Sequence, residues 1–234
     1  MTPANGERPR AVNPTTEHGR AGLTQERALR TRAQILGAAA HAFATKGFPA
    51  VTVLDVAELA GMTKGAVYFH YPNKEALARA VADEFYQTLN RLADNVAQQN
   101  LHPLDAVAQL LTRTALAFRD DLVIQAGARL QIERSLIATD LPTPYIGYTR
   151  IITDWLTQAT NNPNPQTTTT NPQTTATNPD PQTTARVLIA AFFGAQHISW
   201  ILTDRTDITQ RVQEILTTIL PTTPPTAPTT QPTT

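Results

Sequence analysis

Apolar residues return every three or four positions along most of this chain, the repeat of helices with one buried face. Leu29, Ala33, Leu36, Ala40 and Phe43 predict the inner stripe of a helix from about Gln25 to Lys46, ended by Gly47. Val53, Val56, Ala57 and Ala60 fall at i, i+3, i+4 and i+7, a second and shorter stripe. Leu77, Val81, Phe85, Leu89, Leu92 and Val96 predict one face of a long helix from Lys74. A helix from Pro103 to about Arg119 carries Leu110, Leu111, Thr114 and Phe118, and another follows from Leu122 to Ala138. Pro142 and Pro144 break the chain, and Pro144 opens a helix to Ala159.

The last two helices, about Thr183–Thr203 and Asp207–Leu220, read differently. The first is apolar almost all round at Val187–Phe193, and a helix apolar on every side needs burial on every side. Ile208, Val212, Ile215, Leu216 and Ile219 give its neighbour a matching stripe. Packing within one subunit covers one face and a twofold partner would cover the other, so the expectation is a homodimer through a four-helix bundle. Residues 161–182, NNPNPQTTTTNPQTTATNPDPQ, are low-complexity and unable to bury a core, which predicts a disordered insertion. Residues 1–22 read as a flexible arm and 221–234 as a disordered tail.

Residues 51–74, VTVLDVAELAGMTKGAVYFHYPNK, carry the firmest pointer to a partner. Thr52 with Asp55 three positions on makes a capping box. Gly61 permits the left-handed backbone that ends a helix, and Met62 can plug the angle that follows. Thr63 is the next N-cap and opens Lys64–His70; Pro72 stops that helix and Asn73 caps the next. Val67 and Tyr71 share a face that holds the second helix in the core, leaving Lys64, Gly65, Tyr68 and His70 elsewhere. A helix this short, polar outside and with glycine near its start, suits a DNA major groove. Gly65 lets the backbone come close, and Thr63 with the helix N-terminus can donate to a phosphate. Lys64 can meet a phosphate or a guanine edge, while Tyr68, His70 and Lys74 are placed as phosphate contacts.

Net charge is zero, which alone argues against nucleic acid, but the halves differ. Residues 1–80 hold ten Lys+Arg against six Asp+Glu, and the remainder nine against thirteen, so a +4 head sits on a −4 body. There is no cysteine, hence no disulfide frame or thiolate site. The five histidines show no metal spacing, and neither Ser135 nor Ser199 lies in a nucleophile elbow, so no metal, cofactor or enzymatic activity is expected. The first twenty residues are polar and the longest apolar run, Val187–Gly194, is too short to span a bilayer. The expectation is a cytoplasmic protein without a membrane partner.

The helix-turn-helix, with Arg30, Ile35, Ala39, Phe43, Gly47, Thr52, Val56, Ala57, Ala60, Gly61, Thr63, Gly65, Tyr68, His70, Tyr71, Lys74 and Leu77, resembles the tetracycline-repressor (TetR) family of bacterial regulators. That resemblance implies an all-α homodimer. Residues 23–73 would form an N-terminal three-helix helix-turn-helix DNA-binding domain, and residues 74–220 a C-terminal helical ligand-binding and dimerisation domain. It further implies a double-stranded DNA operator, a small-molecule ligand that weakens DNA binding, and DNA-backbone contacts from Arg30 and Arg32 near the start of the first helix, with Thr52 among the DNA-binding residues. In such proteins the helix starting at Lys74 links the DNA head to the ligand body. The strings ERALRTRAQILGAAAHAFATKGF, TKGAVYFHYPNKEALA, LPTPYIGYTRIITDWL and AAFFGAQHISWILTDRTDITQRV are similar to the γ-butyrolactone autoregulator receptors, and Tyr148 stands where those receptors usually carry tryptophan. The similarity implies a repressor of secondary metabolism released by such a signal; an antibiotic or drug-like ligand, or none, are the alternatives.

Aromatic and amide side chains interrupt the apolar stripes of the body: Tyr86, Phe118, Gln131, Tyr145, Tyr148, Ile152, Trp155 and Phe193 are the candidate ligand contacts. Small-molecule pockets are mostly apolar with few placed polar groups. An alkyl tail would lie against Phe118, Ile152 and Phe193, with Gln131 and Tyr145 donating to ring oxygens. Charged residues are scarce on these stripes, which argues against a strongly charged ligand.

Overall fold

The computed structural model describes residues 14–143, 145–162 and 180–220, with side chains of the first helix described from Gln25 onward. Among the described residues the chain is helical throughout and contains no strand. The elements are α1 (Pro14–Lys46), α2 (Val53–Leu59), α3 (Lys64–His70), α4 (Lys74–Ala97), α5 (Pro103–Asp120), α6 (Leu122–Ile132), α7 (Ile146–Asn161), α8 (Pro181–Thr203) and α9 (Ile208–Ile219). A single 3-10 turn, Arg134–Leu136, follows α6.

Short polar side chains set the helix starts. Thr52 and Asp55 form the full capping box of α2, Thr63 accepts from the Ala66 amide at α3, and Asn73 accepts from the Ala76 amide at α4. Asp121 caps α6, and Asp180 caps α8 ahead of Pro181. Gly61, between α2 and α3, takes φ +63°, which a side chain would resist.

α1, α2, α3 and the first half of α4 enclose one core, with Ile35, Phe43, Val56, Val67, Leu77 and Val81 fully buried. Ala126 and Leu130 of α6 complete it, so the head is closed from below by a helix of the body. A second core gathers Phe85, Leu110, Phe118, Ile152, Leu188 and Phe192 from α4, α5, α7 and α8. Each such side chain stabilises the fold by roughly 1.5–3 kcal/mol. α4 runs through both cores: Leu77 and Val81 serve the head, Phe85 and Leu89 the body.

Several boundaries and faces differ from the sequence reading. α1 begins at Pro14, well before Gln25. Its inner face includes the expected Ala40 and Phe43, with Leu36 partly buried, and adds Ile35, Ala38, Ala39 and Ala42; Leu29 and Ala33 are exposed. The helix expected to reach Ala138 ends at Ile132: Glu133 leaves helical angles (φ −87°, ψ 6°) and the chain passes into the 3-10 turn, while the Glu133 carboxylate accepts from the Phe48 amide at 2.6 Å. α7 starts at Ile146 after Tyr145 and runs to Asn161; Pro144 and most of the 161–182 segment lie outside the described residues, as do residues 1–13 and the tail from 221.

α8 buries Leu188, Ile189, Phe192, Gln196 and Ser199 against the subunit, while Val187, Ile198, Ile201 and Leu202 are exposed. As a whole helix α8 is long and apolar enough to cross a membrane by length and composition, which the count of its uninterrupted apolar run missed. Its buried polar residues, and its packing against α7 and α9, are those of a helix in a bundle.

Candidate functional site

Two regions hold the residues singled out by the sequence. The first is the outer face of the head. α3 is anchored by Val67 and Tyr71, both buried, and by its Thr63 cap (Ala66 N to Thr63 Oγ1, 3.2 Å). Arg32 supports the far end, donating to the Tyr71 hydroxyl at 3.3 Å and lying 5.7 Å above its ring. Gln34 ties α1 to the end of α2 through the Ala60 carbonyl at 2.7 Å. The helix is thereby fixed from behind, and its other faces are open.

On those faces Lys64, Gly65 and Tyr68 are exposed, with the Lys64 ammonium 5.7 Å from the Tyr68 ring. A Cβ at Gly65 would meet only Thr63 Oγ1, at 3.9 Å, so nothing inside the protein demands glycine there. His70 is half-exposed and lies edge-on to Phe69, ring centres 5.2 Å apart. Phe69 itself is 84% exposed. Phe69 was not among the residues the sequence singled out. Arg30 is exposed and paired with Glu26 at 2.6 Å.

Thr52 and Lys74 are committed elsewhere. The Thr52 hydroxyl donates to Asp55 at 2.6 Å and accepts from the Asp55 amide at 3.2 Å. Lys46 completes that cluster at 2.6 Å, and with Thr52 it holds the Asp55 carboxyl well below the usual carboxylate range. The Lys74 ammonium, expected to face a phosphate, turns inward. It donates to the Phe48 carbonyl at 2.9 Å and lies 4.2 Å over the Phe48 ring. Its chemistry is that of a clamp between the α1–α2 loop and the start of α4.

The second region is the centre of the body. Tyr145, at the start of α7, packs against Phe193 with tilted rings whose centres are 4.2 Å apart, and Phe193 meets Phe118 and Phe192 at 5.9 and 5.2 Å. Phe118 and Ile152 are fully buried; Trp155 and Phe193 are partly buried at the edge of the same core. Tyr148 is satisfied: its hydroxyl donates to the Leu89 carbonyl at 3.2 Å and pairs with the Thr114 hydroxyl at 3.0 Å. Burial pushes the Tyr148 phenol up, so it stays protonated. The Tyr86 hydroxyl and the Gln131 side-chain nitrogen are buried without any partner. The structure thus brings Tyr145, Phe118 and Phe193 together and leaves Tyr148 as a packed strut between α4, α5 and α7.

Two surface cavities flank these regions. One, of about 1000 Å³, lies between α1 and α4 beside Arg32, Tyr71 and Arg79; the other, of about 480 Å³, lies between α8 and α9 on their outward side. Neither is lined by any of the eight candidate ligand residues. Among the described residues no cluster of three or more His, Asp or Glu could hold a metal ion.

The family model of bacterial regulatory proteins, tetR family, matches residues 35–81. The A-factor receptor protein of Streptomyces griseus is 30% identical over 192 residues, covering 82% of this chain and 63% of that protein. The chain spans about half the length, 49%, of the first curated relatives it matches. A solved structure described as the molecular basis for control of antibiotic production by bacterial hormones is 45% identical, with a TM-score of 0.70, over 81% of this chain and 95% of that one. CprB of Streptomyces coelicolor, solved in complex with its operator sequence, is 26% identical with a TM-score of 0.61, over 82% and 98% of the two chains.

Proposed function

Because the chain belongs to the tetR family of bacterial regulatory proteins, we propose that it is a DNA-binding transcriptional repressor released from a palindromic operator by a small, mostly apolar ligand. One observation carries the DNA half of this reading. α3 is pinned from behind by Val67, Tyr71 and Arg32 while Thr63, Lys64, Gly65 and Tyr68 are presented outward with no internal task beyond the cap. Lys64 supplies the phosphate or guanine contact, and Tyr68 with His70 flanks it; Phe69 joins them. Lys74 acts by positioning, since its ammonium is held by Phe48.

A second copy of the chain covers the exposed apolar face of α8, with the half-exposed Ile215 and Ile219 of α9 beside it, giving an isologous dimer. Its two reading helices then meet half-sites about one helical turn, roughly 34 Å, apart or multiples of it. The ligand enters the body among Tyr145, Phe118 and Phe193. It acts by preferring one of two conformers, and only its differential affinity for them shifts the equilibrium. α4 is built to transmit that preference, because one rigid helix carries Leu77 in the head core and Phe85 in the body core. A γ-butyrolactone-type autoregulator and control of secondary metabolism are supported by the likeness to the A-factor receptor protein and to the structure described for antibiotic control. No catalytic step is part of this reading.

The test is a gel shift on the DNA just upstream of the gene, with and without an organic extract of the producing culture. A retarded band abolished by the extract is expected. A band indifferent to every extract would refute the ligand-released repressor, and no band at low salt would refute the DNA reading.

A further inference from the structure

Trp200 is a large apolar side chain that belongs to neither hydrophobic core. It sits on the last turn of α8, partly buried, and two cations lie over its ring. The Arg129 guanidinium of α6 is 5.3 Å from the ring centre, and the Arg205 guanidinium, from the turn between α8 and α9, is 5.0 Å from it. An aromatic face attracts a cation, which offsets part of the cost of taking a guanidinium out of water.

Arg205 is held there against several costs. It is 5% exposed, it pairs with the exposed Asp204 at 3.1 Å, and its Nε finds no acceptor among the described residues. Burial and the neighbouring Arg129 cation both pull it below the usual arginine value. Its backbone stands at φ +69°, directly after Asp204 at +47°, so two residues in a row are left-handed and neither is glycine. A turn that served only to reverse the chain would be better built with glycine and a solvated arginine head.

From Trp200 the contacts run into the head. Arg129 donates to the Ala44 and Thr45 carbonyls at the end of α1 and pairs with Glu133, which accepts from the Phe48 amide. Gly47, at φ +79°, is seated on that pair: a Cβ there would lie 2.5 Å from Glu133 Oε1 and 2.6 Å from Arg129 Nη2. α8 otherwise packs chiefly along α7 and α9, and α6 along α1 and α4. Ile198, Ile201 and Leu202, close to Trp200 on α8, are exposed on the face assigned to the second copy. Trp200 thus ties a dimer helix to the clamp on the head by a route outside α4. One connecting helix leaves a head free to swing about it, and an attachment away from that helix stops the swing.

We propose that Trp200, held by Arg205, is the positioning residue that locks each DNA-reading head to the dimer helices and so sets the half-site spacing the protein accepts. The proposal rests on the homodimeric repressor reading above. Heads locked in angle match one spacing, because each inserted base pair moves a half-site by about 3.4 Å and turns it by about 35°. Heads that swing tolerate both changes.

The test uses the palindrome located by footprinting upstream of the gene. It is synthesised as it stands, with one or two base pairs added or removed at its centre, and as a single half-site, for gel shifts with full-length protein. For the wild type, one base pair either way should weaken binding about tenfold or more, since avidity is lost when both half-sites cannot be engaged at once. Trp200→Leu, dimeric by sedimentation and folded by circular dichroism, should bind the single half-site like the wild type. The same changes of spacing should cost it about threefold or less. Trp200→Phe, which keeps an aromatic face for the cations, should restore part of the discrimination. Arg205→Gly suits the left-handed backbone, so it should melt close to the wild type and still flatten the spacing profile. A wild-type profile in either folded variant, or half-site and operator binding weakened in equal proportion, overturns the proposal and leaves the repressor standing. Wild-type protein that binds no duplex at low salt overturns the repressor reading and the proposal with it.

Discussion

Arg129→Met removes the cation that fastens the body to the head. The Arg129 guanidinium donates to the Ala44 and Thr45 carbonyls, both at 3.0 Å, where α1 has run out of internal partners. It also pairs with Glu133 at 3.0 Å and lies 5.3 Å over the Trp200 ring, and Glu133 in turn accepts from the Phe48 amide at 2.6 Å. Methionine keeps most of the bulk and deletes every bond that the guanidinium makes. Two charge-assisted bonds to carbonyls are lost, and Glu133, about four-fifths buried, is left with one amide and no cation. Breaking a fully buried pair costs about 3–5 kcal/mol, and residual solvent access lowers that here, so about 3 kcal/mol is expected. Urea unfolding at fixed protomer concentration, followed by circular dichroism, measures it. Glu133→Gln should cost less, since an amide oxygen can still accept from Phe48. The double variant should fall short of the sum of the singles by about 1 kcal/mol. A loss under about 0.5 kcal/mol, or full additivity, would refute the claim that this cluster joins the two cores.

Lys64 and Lys74 should separate cleanly. Lys64→Ala weakens operator binding and lowers the slope of log affinity against log salt by about one while leaving ligand binding intact; Lys74→Met leaves that slope unchanged and costs about 1–2 kcal/mol in urea unfolding. Gly127→Ala forces a methyl group against Phe85 and should destabilise by about 1–2 kcal/mol in the same assay, overpacking outweighing the gain in helix propensity. Asp55, held low by Lys46 and Thr52, and Asp207, held low by Arg211, Ser199 and Thr203, have folded values below their unfolded ones. Their contribution is present above about pH 4 and disappears as pH falls toward the folded values. Thermal melts should therefore show a decline below about pH 4 that Asp55→Asn and Asp207→Asn reduce.

The helix-turn-helix was legible because its punctuation is local. Thr52, Thr63 and Asn73 each satisfy an amide three residues on, and Gly61 needs no tertiary partner for its left-handed turn. The inner face of α1 was not, because the alanine-rich run from Ala38 to Ala44 fits more than one stripe and only contact with α2, α4 and α6 selects Ile35, Ala39 and Phe43. Lys74 misled for a related reason. A lysine at a helix start reads as solvated, and the carbonyl and ring that capture it lie 26 residues away in sequence. The early end of α6 has no proline or glycine to mark it: Glu133 passes directly into the 3-10 turn Arg134–Leu136. In the body the aromatic cluster was readable from composition. Its polar groups were readable only in part: Tyr86, Gln131 and Tyr145 stand out in their stripes, but Arg134 reaches Gln131 Oε1 from a turn that periodicity does not foresee.

Footprinting on the DNA upstream of the gene tests the central claim most directly. The account predicts two protected patches related by a twofold axis, their centres one helical turn or a multiple of it apart, and both lost together in Lys64→Ala protein that still unfolds cooperatively. Even, sequence-independent protection, or a footprint that Lys64→Ala leaves unchanged, would contradict it.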